Sequence, residues 1–481
     1  MKVAVIGGGI VGCLLAYELS KYDIELFLIE KNNDFGQGVT KANSAIIHGG
    51  YDDPPGSMRA KLCADGNKKY DKLSKELSVQ IKRIGSLVVS DGLTDSEKKL
   101  EELCNRGIKN GVKGLSIINR DKVQSIEPNL DKKYKKALYC KSAAISEPWM
   151  IAVSAAKAAG RNGAKLITGD AVIDSTLKGS RVRTVILSSG KEIEVDLVLN
   201  ATGIYFDRVA KIFGVQTPEV LLVKGQYLLL DHLASELVNT IIFPLPSEKG
   251  KGKLIVPTID GGILLGPTSE AIDGFKPEDT RTTSEGIKEV INAGEEFVHG
   301  ISRPKWFIKT FAGLRPETPN KDFYIKIASE RTNFITVGGM RSPGLTAAPT
   351  VADYVIEYLI QEKMGIRLIK KDHFKTASSG LRIKEISFEE ASRKIEEDSS
   401  YGRIICQCNQ VSEKEIRDAI RNGANTLDDV KFRTRATFGR CQGGFCTWKI
   451  MKIISEELNI PLEEVKKNDE ESELLDGKVR R

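Results

Sequence analysis

The chain has 481 residues, too many for one hydrophobic core, since single cores stop growing at roughly 250–300 residues, and two or three domains are expected. A hydrophobic fraction of 41% and a charged fraction of 28% exclude wholesale disorder and fibrous repeats. The net charge of +7 comes from basic residues spread along the chain, so no nucleic-acid partner is indicated, and a solvated surface or an anionic ligand explains it equally well.

Apolar runs and cysteines indicate the compartment. No stretch approaches the roughly 18 consecutive apolar residues that span a bilayer, and glycines interrupt the apolar start, as in a fold element rather than a signal peptide. Eight cysteines, some closely paired, indicate metal or cluster ligation in a reducing environment. We therefore expect a cytoplasmic protein, associated with a membrane only through a partner.

The first thirty residues are typical of a dinucleotide-binding unit. Residues 2–6 (KVAVI) predict a buried parallel strand, and helical spacing follows over Cys13–Lys21. The turn between them has the pattern G-x-G-x-x-G, whose glycines permit a tight turn, close approach of a pyrophosphate and close helix packing, in the order Gly7, Gly9 and Gly12.

A second strand over Glu25–Ile29 leads to Glu30, where a carboxylate reaches the ribose hydroxyls of an adenosine. Strand, glycines, helix and acid in this order predict a Rossmann-like cofactor site. NAD and FAD are both candidates on this pattern alone.

Two later strands also end in glycine-containing turns. One covers Val195–Leu199 and the other Phe334–Val337. The turns after them resemble the second and third FAD contacts of the glycine/D-amino-acid oxidase superfamily, which favours FAD. The resemblance places these residues at the cofactor: Ala201, Thr202, Gly203, Gly338, Gly339, Gly344, Leu345 and Thr346.

The last of these turns suits a flat ring system. Gly338 and Gly339 would let the backbone lie against the ring, and a helix over Ala347–Lys363 would point its N-terminus at it. Such an N-terminus would stabilise negative charge on a reduced flavin. Pro349 is expected in the first turn, where a missing N–H costs no hydrogen bond.

Residues 40–63 (TKANSAIIHGGYDDPPGSMRAKLC) resemble the flavin-proximal loop of the superfamily branch that contains L-2-hydroxyglutarate oxidases and anaerobic-type glycerol-3-phosphate dehydrogenases. The similarity continues in KGQY (224–227), FAGLRPET (311–318) and GGMRSPGLTAAP (338–349), and covers residues 1–365. It implies that Asn43, Ser44 and His48 lie beside the flavin and that Arg315 lies in the substrate cavity.

His48 and Arg315 are the candidate catalytic residues. A neutral imidazole at His48 is able to remove the hydroxyl proton of a secondary alcohol, and a structural hydrogen bond in the loop is the alternative. The planar guanidinium of Arg315 suits phosphate or carboxylate, and a salt bridge to Glu317 is the alternative. Lys224 and Arg341 are secondary candidates for the same anion or for flavin contacts.

Four late cysteines form two close pairs, Cys406 with Cys408 and Cys441 with Cys446. Four thiolates hold either zinc or an iron–sulfur cluster, but Cys-x-Cys is closer than the spacing that zinc sites prefer. The block at 406–446 resembles the 2Fe-2S domain of bacterioferritin-associated ferredoxins. A 2Fe-2S cluster is therefore favoured, and zinc is the alternative.

Two helices are predicted around these cysteines. One covers Ser412–Gly423, with Ser412 and Glu415 forming a capping box, and the other covers Phe445–Leu458. Three arginines precede or flank the second cysteine pair and would offset the cluster's negative charge or face a redox partner: Arg433, Arg435 and Arg440.

The sequence predicts less specific roles for the remaining cysteines and histidines. Small buried thiols are expected at Cys13, Cys63, Cys104 and Cys140, with covalent flavin attachment at Cys63 as a minor alternative. Surface roles are expected for His232 and His373, whereas the role of His299 stays open.

The expected fold class is α/β. A discontinuous Rossmann-like FAD-binding domain is expected to comprise residues 1–80, 146–215 and 331–370. Alternating stretches such as KGQYLLLD and GGILLGPT predict a mixed antiparallel sheet in a substrate domain at 81–145 and 216–330. The remaining regions are a linker at 371–402 with one helix starting near Ser387, a small helical 2Fe-2S domain at 403–460 and a charged tail at 461–481.

The leading hypothesis is an FAD-dependent dehydrogenase that oxidises a small anionic secondary alcohol, sn-glycerol 3-phosphate first. Electrons would leave through the cluster to a second flavoprotein or quinone-linked subunit in a hetero-oligomer. An L-2-hydroxy-acid dehydrogenase is the nearest alternative, because arginine also pairs with carboxylate and because HGGYDD looks closer to the hydroxyglutarate enzymes. An electron-transfer subunit without its own substrate and a cofactor-binding sensor with structural zinc are alternatives from other classes.

Overall fold

The computed structural model describes residues 1–246, 252–377, 380–469 and 471–477. The expected substrate domain, linker and tail each include residues outside these ranges. The chain divides into two compact units, one of residues 1–31 and 35–377 and one of residues 32–34 and 378–481. None of the described helices combines the length and the apolarity needed to cross a bilayer.

The strands of the first unit are, in chain order, β1 (Lys2–Ile6), β2 (Glu25–Ile29), β3 (Ile46–Ile47), β4 (Ile81–Lys82), β5 (Ser86–Ser90), β6 (Leu115–Asn119), β7 (Lys136–Cys140), β8 (Ala144–Ser146), β9 (Lys165–Ile167), β10 (Val172–Lys178), β11 (Arg181–Leu187), β12 (Glu192–Glu194), β13 (Leu197–Asn200), β14 (Leu221–Leu230), β15 (Ile241–Phe243), β16 (Leu254–Pro257), β17 (Ile263–Gly266), β18 (Glu270–Ile272), β19 (Phe307–Glu317), β20 (Tyr324–Ile327) and β21 (Phe334–Gly338).

Its α-helices are α1 (Ile10–Leu19), α2 (Met58–Leu77), α3 (Thr94–Lys109), α4 (Arg120–Ile126), α5 (Pro148–Arg161), α6 (Phe206–Ile212), α7 (Ser284–Phe297) and α8 (Gly344–Asp353). A π-helical segment, Tyr354–Lys363, continues α8. Short 3-10 helices cover Gly203–Tyr205, His232–Leu237 and Pro304–Trp306.

β1 lies inside a six-stranded sheet of order β20-β21-β13-β1-β2-β9, which is parallel except for β20. Parallel strands covered on both faces are apolar throughout, and β1 and β13 are buried along almost their whole length. Val3 and Val5 join a core formed with α1, α5 and α8, whereas Ala4 and Ile6 join a second core with the sheet β10-β11-β12. The turn that follows β1 is therefore anchored between two packed layers.

A second large sheet has the order β18-β14-β17-β16-β15-β5-β7-β6, with β19 also paired to β14. β14 runs antiparallel to β17 and β19, as the alternation in KGQYLLLD and GGILLGPT predicts. In the register of β14 with β19, Val223 lies opposite Arg315 and Gly225 lies opposite Gly313. β20, which the sequence places with the substrate domain, pairs instead with β21 of the six-stranded sheet.

The second unit contains β22 (Ile404–Cys406), β23 (Val411–Ser412), α9 (Phe388–Glu397), α10 (Glu413–Arg421), α11 (Leu427–Thr434) and α12 (Thr447–Leu458), with 3-10 helices at Ile383–Glu385, Ser399–Tyr401 and Leu462–Glu464. The capping box of Ser412 and Glu415 on α10 is confirmed, and α9 begins directly after Ser387. The core of this unit joins α10, α11 and α12 through Ile416, Val430 and Ile450.

The start of α8 differs from the position predicted from the sequence. The helix begins at Gly344 rather than Ala347, so Pro349 lies in its second turn and not in its first. A proline there removes the N–H that would bond to the carbonyl of Leu345. The hydroxyl of Tyr70, on α2, donates to that carbonyl instead. The lost helical hydrogen bond is thus replaced from a neighbouring helix.

Other element boundaries differ by two or three residues from the sequence expectations. The first helix covers Ile10–Leu19, the strand before Ala201 covers Leu197–Asn200, and the last long helix begins at Thr447 rather than Phe445. Each helix begins after a turn. The pattern of apolar residues in the sequence does not reveal the backbone hydrogen bonds of that turn, so it does not fix the first residue of the helix.

Candidate functional site

The turn between β1 and α1 has the geometry of a pyrophosphate site. Gly7 has a φ of +105°, and a Cβ there would lie 2.5 Å from the backbone oxygen of Ala201. A Cβ at Gly12 would lie 1.8 Å from the backbone oxygen of Gly7. At Gly9 a Cβ would meet, among the described residues, Thr40 Oγ1 alone, at 3.4 Å. The backbone at Gly9 is therefore accessible to a phosphate at the start of α1.

Glu30 follows β2 and is buried beside this turn. Its Oε2 accepts a hydrogen bond of 2.6 Å from the backbone N–H of Gly8. The carboxylate is thus fixed at the edge of the glycine turn, where a ribose contact is expected. That contact stays a prediction.

The later glycine turns lie against the same region. Ala201 packs on Gly7, and Thr202 donates from its hydroxyl to Asn200 Oδ1 at 2.7 Å. A Cβ at Gly338 would lie 2.5 Å from the Phe206 ring, and one at Gly339 would lie 2.7 Å from Thr318. Both glycines are therefore required by protein packing, and their approach to a flat ring stays a prediction.

His48 is held from three sides. Its backbone N–H donates to Thr346 Oγ1 at 2.8 Å, and Asn67 Nδ2 donates to its backbone oxygen at 2.9 Å. Its ring Nε2 lies 3.2 Å from the hydroxyl of Ser342. Thr346 belongs to the first turn of α8, with Gly344 and Leu345, and Asn67 belongs to α2. Two helices therefore fix the imidazole that the sequence proposes as a base.

Asn43 and Ser44 have different roles in the loop before His48. Asn43 Nδ2 donates to the backbone oxygens of Val39 and Thr40, and its Oδ1 accepts from the N–H of Ala45 at 2.7 Å. These bonds shape the loop around Ala45, which has a φ of +57°. The hydroxyl of Ser44 lies 3.2 Å from the hydroxyl of Tyr227.

Arg315 is half-buried, and its charge is not neutralised by a described carboxylate. Nε and Nη2 donate to the backbone oxygens of Val223, Lys224 and Thr268 at 3.3, 3.2 and 2.9 Å. Burial lowers the pKa of Arg315, although a guanidinium remains a cation. The side chain is thus pre-oriented by carbonyl groups, and Nη1 has no hydrogen-bond partner among the described residues. An anion is the natural complement.

The alternative salt bridge from Arg315 to Glu317 is not formed. Glu317 is buried, and its two oxygens bind Arg59 Nη2 at 2.5 Å and Arg341 Nη1 at 2.6 Å. The other secondary candidate, Lys224, is ion-paired with Asp279 at 3.3 Å and with Glu270 at 3.6 Å. Both secondary candidates therefore already have carboxylate partners within the chain.

A small cavity of about 20 Å³ adjoins His48. Its lining is part apolar and part acidic, and Arg315 is not among the lining residues: His48, Gly50, Tyr51, Asp52, Asp53, Cys63, Val88, Phe243, Pro244 and Pro246. The Phe243 ring lies 6.0 Å from the His48 ring, centroid to centroid. A small molecule in this cavity would contact the imidazole.

Among the remaining histidines and cysteines, Cys63 lines the cavity beside His48. His232 is bound to Asp231 at 3.1 Å and is largely exposed, and His299 and His373 are exposed. Cys13, Cys63 and Cys140 are buried, Cys104 is half-buried, and none of the four forms a disulfide. These placements agree with the surface and packing roles expected from the sequence.

In the second unit the four late cysteines come together. The sulfurs of Cys408 and Cys441 are 3.6 Å apart, and Cys406 and Cys446 are hydrogen-bonded to each other. That bond lowers the pKa of Cys406, whose thiolate it stabilises, and raises the pKa of Cys446, which donates it. No described group of three or more ligand side chains converges on a single ion, and the sulfurs are arranged as two pairs.

Backbone N–H groups surround these sulfurs. Those of Asn409 and Thr437 point at Cys406, and those of Phe445 and Gly443 point at Cys441. Four non-glycine residues in this part of the chain have positive φ, an arrangement that turns successive N–H groups inward: Gln410, Arg435, Thr437 and Gln442. Such N–H···S bonds stabilise thiolate ligands and tune an iron–sulfur cluster.

The three arginines of this region divide between interior and surface. Arg433 and Arg435 are buried, and the Arg435 guanidinium stacks 3.6 Å from the centre of the Phe438 ring. Arg440 is exposed.

Both sets of residues fit the implied cofactors. The open backbone at Gly9 and the fixed carboxylate of Glu30 suit a dinucleotide, and four gathered thiols with converging N–H groups suit a 2Fe-2S cluster. Residues 2–358 match the FAD dependent oxidoreductase family, under the name DAO. The chain belongs to this family.

The same oxidoreductase carries a second recognisable domain. Residues 404–456 match the BFD-like [2Fe-2S] binding domain. The cofactors of this oxidoreductase are FAD and a 2Fe-2S cluster, so both cofactor predictions are confirmed. The assignment of individual residues to those cofactors stays a prediction.

Known proteins similar to this oxidoreductase include a glycerol 3-phosphate dehydrogenase from Caloramator mitchellensis, 39% identical over 99% of this chain and 98% of that protein. The structure of dithionite-reduced L-α-glycerophosphate oxidase from Mycoplasma pneumoniae with FAD bound has a TM-score of 0.72 and 28% identity, over 79% of this chain and 98% of that one. A mitochondrial L-2-hydroxyglutarate dehydrogenase from Caenorhabditis elegans is 31% identical over 57% of this chain and 64% of that protein.

Several residues at this site were not singled out by the sequence. Ser342 and Tyr227 lie within the motifs SPGLT and KGQY. Those motifs point to this site, so the sequence already indicated where the two hydroxyls lie. Asn67 lies in the middle of α2 without any motif. Its contact with His48 spans 19 residues and depends on how α2 packs, which spacing alone does not reveal.

Proposed function

We propose that this oxidoreductase oxidises the secondary alcohol of sn-glycerol 3-phosphate. The observation that carries the proposal is Arg315, a half-buried cation without a described carboxylate partner and with one unused donor nitrogen. A dianionic phosphate matches a planar guanidinium through paired hydrogen bonds. The relative from Caloramator mitchellensis, a glycerol 3-phosphate dehydrogenase, supports this substrate because the similarity extends over both units.

In this proposal His48 removes the hydroxyl proton of the substrate at Nε2. The substrate hydroxyl would take the place of Ser342 at that nitrogen, while Thr346 and Asn67 hold the backbone of His48 on either side, so the residue keeps a defined position. A positioned imidazole contributes about 10²–10⁴-fold to such a proton transfer. When bound, FAD supplies the hydride acceptor and the 2Fe-2S cluster supplies a one-electron exit.

An L-2-hydroxy acid is the alternative substrate. A carboxylate pairs with Arg315 as well as a phosphate does. The resemblance to the L-2-hydroxyglutarate dehydrogenase covers 57% of this chain, which supports the alternative less strongly.

We infer that electrons pass to a separate redox protein, a second flavoprotein or a quinone-linked subunit, in a hetero-oligomer. None of the eight cysteines, all of which lie in the described part of the chain, forms a disulfide, which supports the expected cytoplasmic location. Association with a membrane would then be made by the partner.

The proposal is tested by mixing the anaerobic holoenzyme with sn-glycerol 3-phosphate or with L-2-hydroxyglutarate and following flavin absorption in a stopped-flow instrument. We expect the phosphate to bleach the flavin and the hydroxy acid to bleach it at least about tenfold more slowly, a difference of about 1.4 kcal/mol in barrier height. Faster bleaching by L-2-hydroxyglutarate would make the hydroxy acid the favoured substrate. If neither compound bleached the flavin, both proposed substrates would be wrong.

A further inference from the structure

The loop and helix that carry the second cysteine pair expose an aromatic and basic surface. Phe445 is 81% exposed and Trp448 is 49% exposed, values that are unusual for large apolar side chains. Lys452 Nζ lies 5.3 Å from the centre of the Trp448 ring, within the range of a cation–π contact. We define the basic-aromatic patch as the exposed residues Phe445, Trp448, Lys449 and Lys452.

This patch adjoins the more accessible sulfurs of the thiol cluster. Cys406 and Cys446 are buried, whereas Cys408 and Cys441 are only partly buried. The backbone N–H of Phe445 bonds to the sulfur of Cys441. The exposed ring of Phe445 therefore starts beside Cys441, one of the two cysteines that are only partly buried. Because the rate of electron tunnelling falls steeply with distance, this side of the thiol cluster is the favourable exit.

The patch also has a single sign of charge. Residues 436–455 contain three cations and no carboxylate. Glu456, the next residue, is held in an ion pair with Arg417 at 2.7 Å. A surface of one sign raises the association rate of partners of the opposite sign. Exposed aromatic rings at its centre supply the kind of contact that dominates protein interfaces.

We propose that the basic-aromatic patch is the docking surface for an acidic redox protein that takes electrons one at a time from the cluster. Each event moves one electron from the 2Fe-2S centre to a haem, flavin or iron–sulfur centre of the partner, and no bond or group is transferred. The identity of the electron donor rests on the function proposed above, but the surface does not depend on it.

The test uses two acceptors that share a haem and differ in charge: native cytochrome c, which is basic, and fully succinylated cytochrome c, which is acidic. The holoenzyme is reduced anaerobically with dithionite, freed of excess reductant and mixed with each acceptor. At low ionic strength we expect the succinylated form to be reduced about tenfold faster or more. This advantage should disappear near 0.5 M salt, at about which concentration exposed charges are screened.

Charge reversal identifies the surface. The double variant Lys449→Glu/Lys452→Glu is expected to reverse the preference between the two acceptors. The matched control, Lys178→Glu/Lys191→Glu, makes the same change in net charge on exposed lysines of the β10-β11-β12 region, and should keep the wild-type preference. Phe445→Ser should slow reduction of both acceptors without changing the dependence on salt. Visible and EPR spectra of all variants should match those of the wild type.

Equal rates with both acceptors, or equal effects of the two double variants, would overturn the proposal. Binding of the wild type to phosphatidylglycerol vesicles, lost on reversal of Lys449 and Lys452 while the acceptor preference is unchanged, would overturn it in favour of a membrane surface. Self-association lost in the same variant would overturn it in favour of a second copy. Because dithionite supplies the electrons, a failure of sn-glycerol 3-phosphate to reduce the flavin would remove the proposed function and leave this test valid.

Discussion

Asn67 Nδ2 donates to the backbone oxygen of His48 at 2.9 Å and to that of Ser142 at 3.0 Å. The side chain is buried, so Asn67→Ala leaves two carbonyl oxygens without this donor. We expect a loss of about 1–3 kcal/mol in the free energy of unfolding. We also expect flavin reduction by substrate to slow by about 10- to 100-fold, because His48 is no longer held in position. Denaturant titration and stopped-flow reduction measure the two effects.

Asn162→Ala is the matched control. Asn162 Nδ2 also donates to two backbone oxygens, those of Ala158 and Lys375, at 2.7 Å each. This variant should lose stability without slowing flavin reduction. Equal slowing in both variants would show that the Asn67 effect is general loss of structure rather than displacement of His48.

Tyr70 and Pro349 are predicted to be energetically coupled. Tyr70→Phe removes the hydroxyl that bonds to the Leu345 carbonyl and should cost about 1 kcal/mol of stability. Alanine at position 349 supplies an N–H to the same carbonyl, so in the Pro349→Ala background the cost should fall by about 0.5 kcal/mol or more. Thermal unfolding of the four proteins gives the coupling energy. Additive effects would contradict the proposed exchange of hydrogen bonds.

Arg315→Gln is predicted to weaken substrate binding. The loss of a charge-assisted contact to phosphate is about 1.5–3 kcal/mol, which corresponds to about a 10- to 100-fold rise in the dissociation constant. Arg331→Gln serves as the control, because Arg331 also donates to backbone carbonyls, those of Phe213 and Glu330. The dissociation constant is measured from the substrate dependence of flavin reduction. An unchanged value in Arg315→Gln would place the anion elsewhere.

Cys441→Ser should abolish or severely destabilise the 2Fe-2S cluster while FAD remains bound and reducible. The proposed cluster ligands lie in the second unit, whereas the glycine turn of the FAD site lies in the first. Iron content and visible spectra report the cluster, and Cys104→Ser is the control, since Cys104 lies on α3 in the first unit. An unchanged iron–sulfur spectrum in Cys441→Ser would show that the assigned ligands are wrong.

The sequence predicts best where local spacing determines the structure. The G-x-G-x-x-G turn at Gly7–Gly12, the capping box of Ser412 and Glu415 and the pairing of β14 with β17 all depend on short periodicities. Contacts between distant segments are not encoded in this way. Arg315 and Glu317 are two positions apart on β19 and share a face by strand periodicity, yet Glu317 binds Arg59 and Arg341, which come from distant segments, rather than Arg315.

Pro349 shows the same limit within one helix. The expectation that it occupies a first turn rests on the usual position of proline, whereas the structure compensates a second-turn proline with Tyr70, 275 residues from its Leu345 partner. Likewise, the glycines at 338 and 339 are explained by Phe206 and Thr318, which no local pattern connects to them. Long-range packing therefore accounts for most of what the sequence leaves out.

We propose that this one chain oxidises sn-glycerol 3-phosphate and passes the electrons from FAD to its own cluster. The most direct measurement is anaerobic titration of the holoenzyme with sn-glycerol 3-phosphate, followed by visible absorption and by low-temperature EPR of the same samples. We expect bleaching of the flavin together with the EPR signal of a reduced 2Fe-2S cluster. A flavin that stays oxidised, or a bleached flavin with a cluster that remains oxidised, would contradict it.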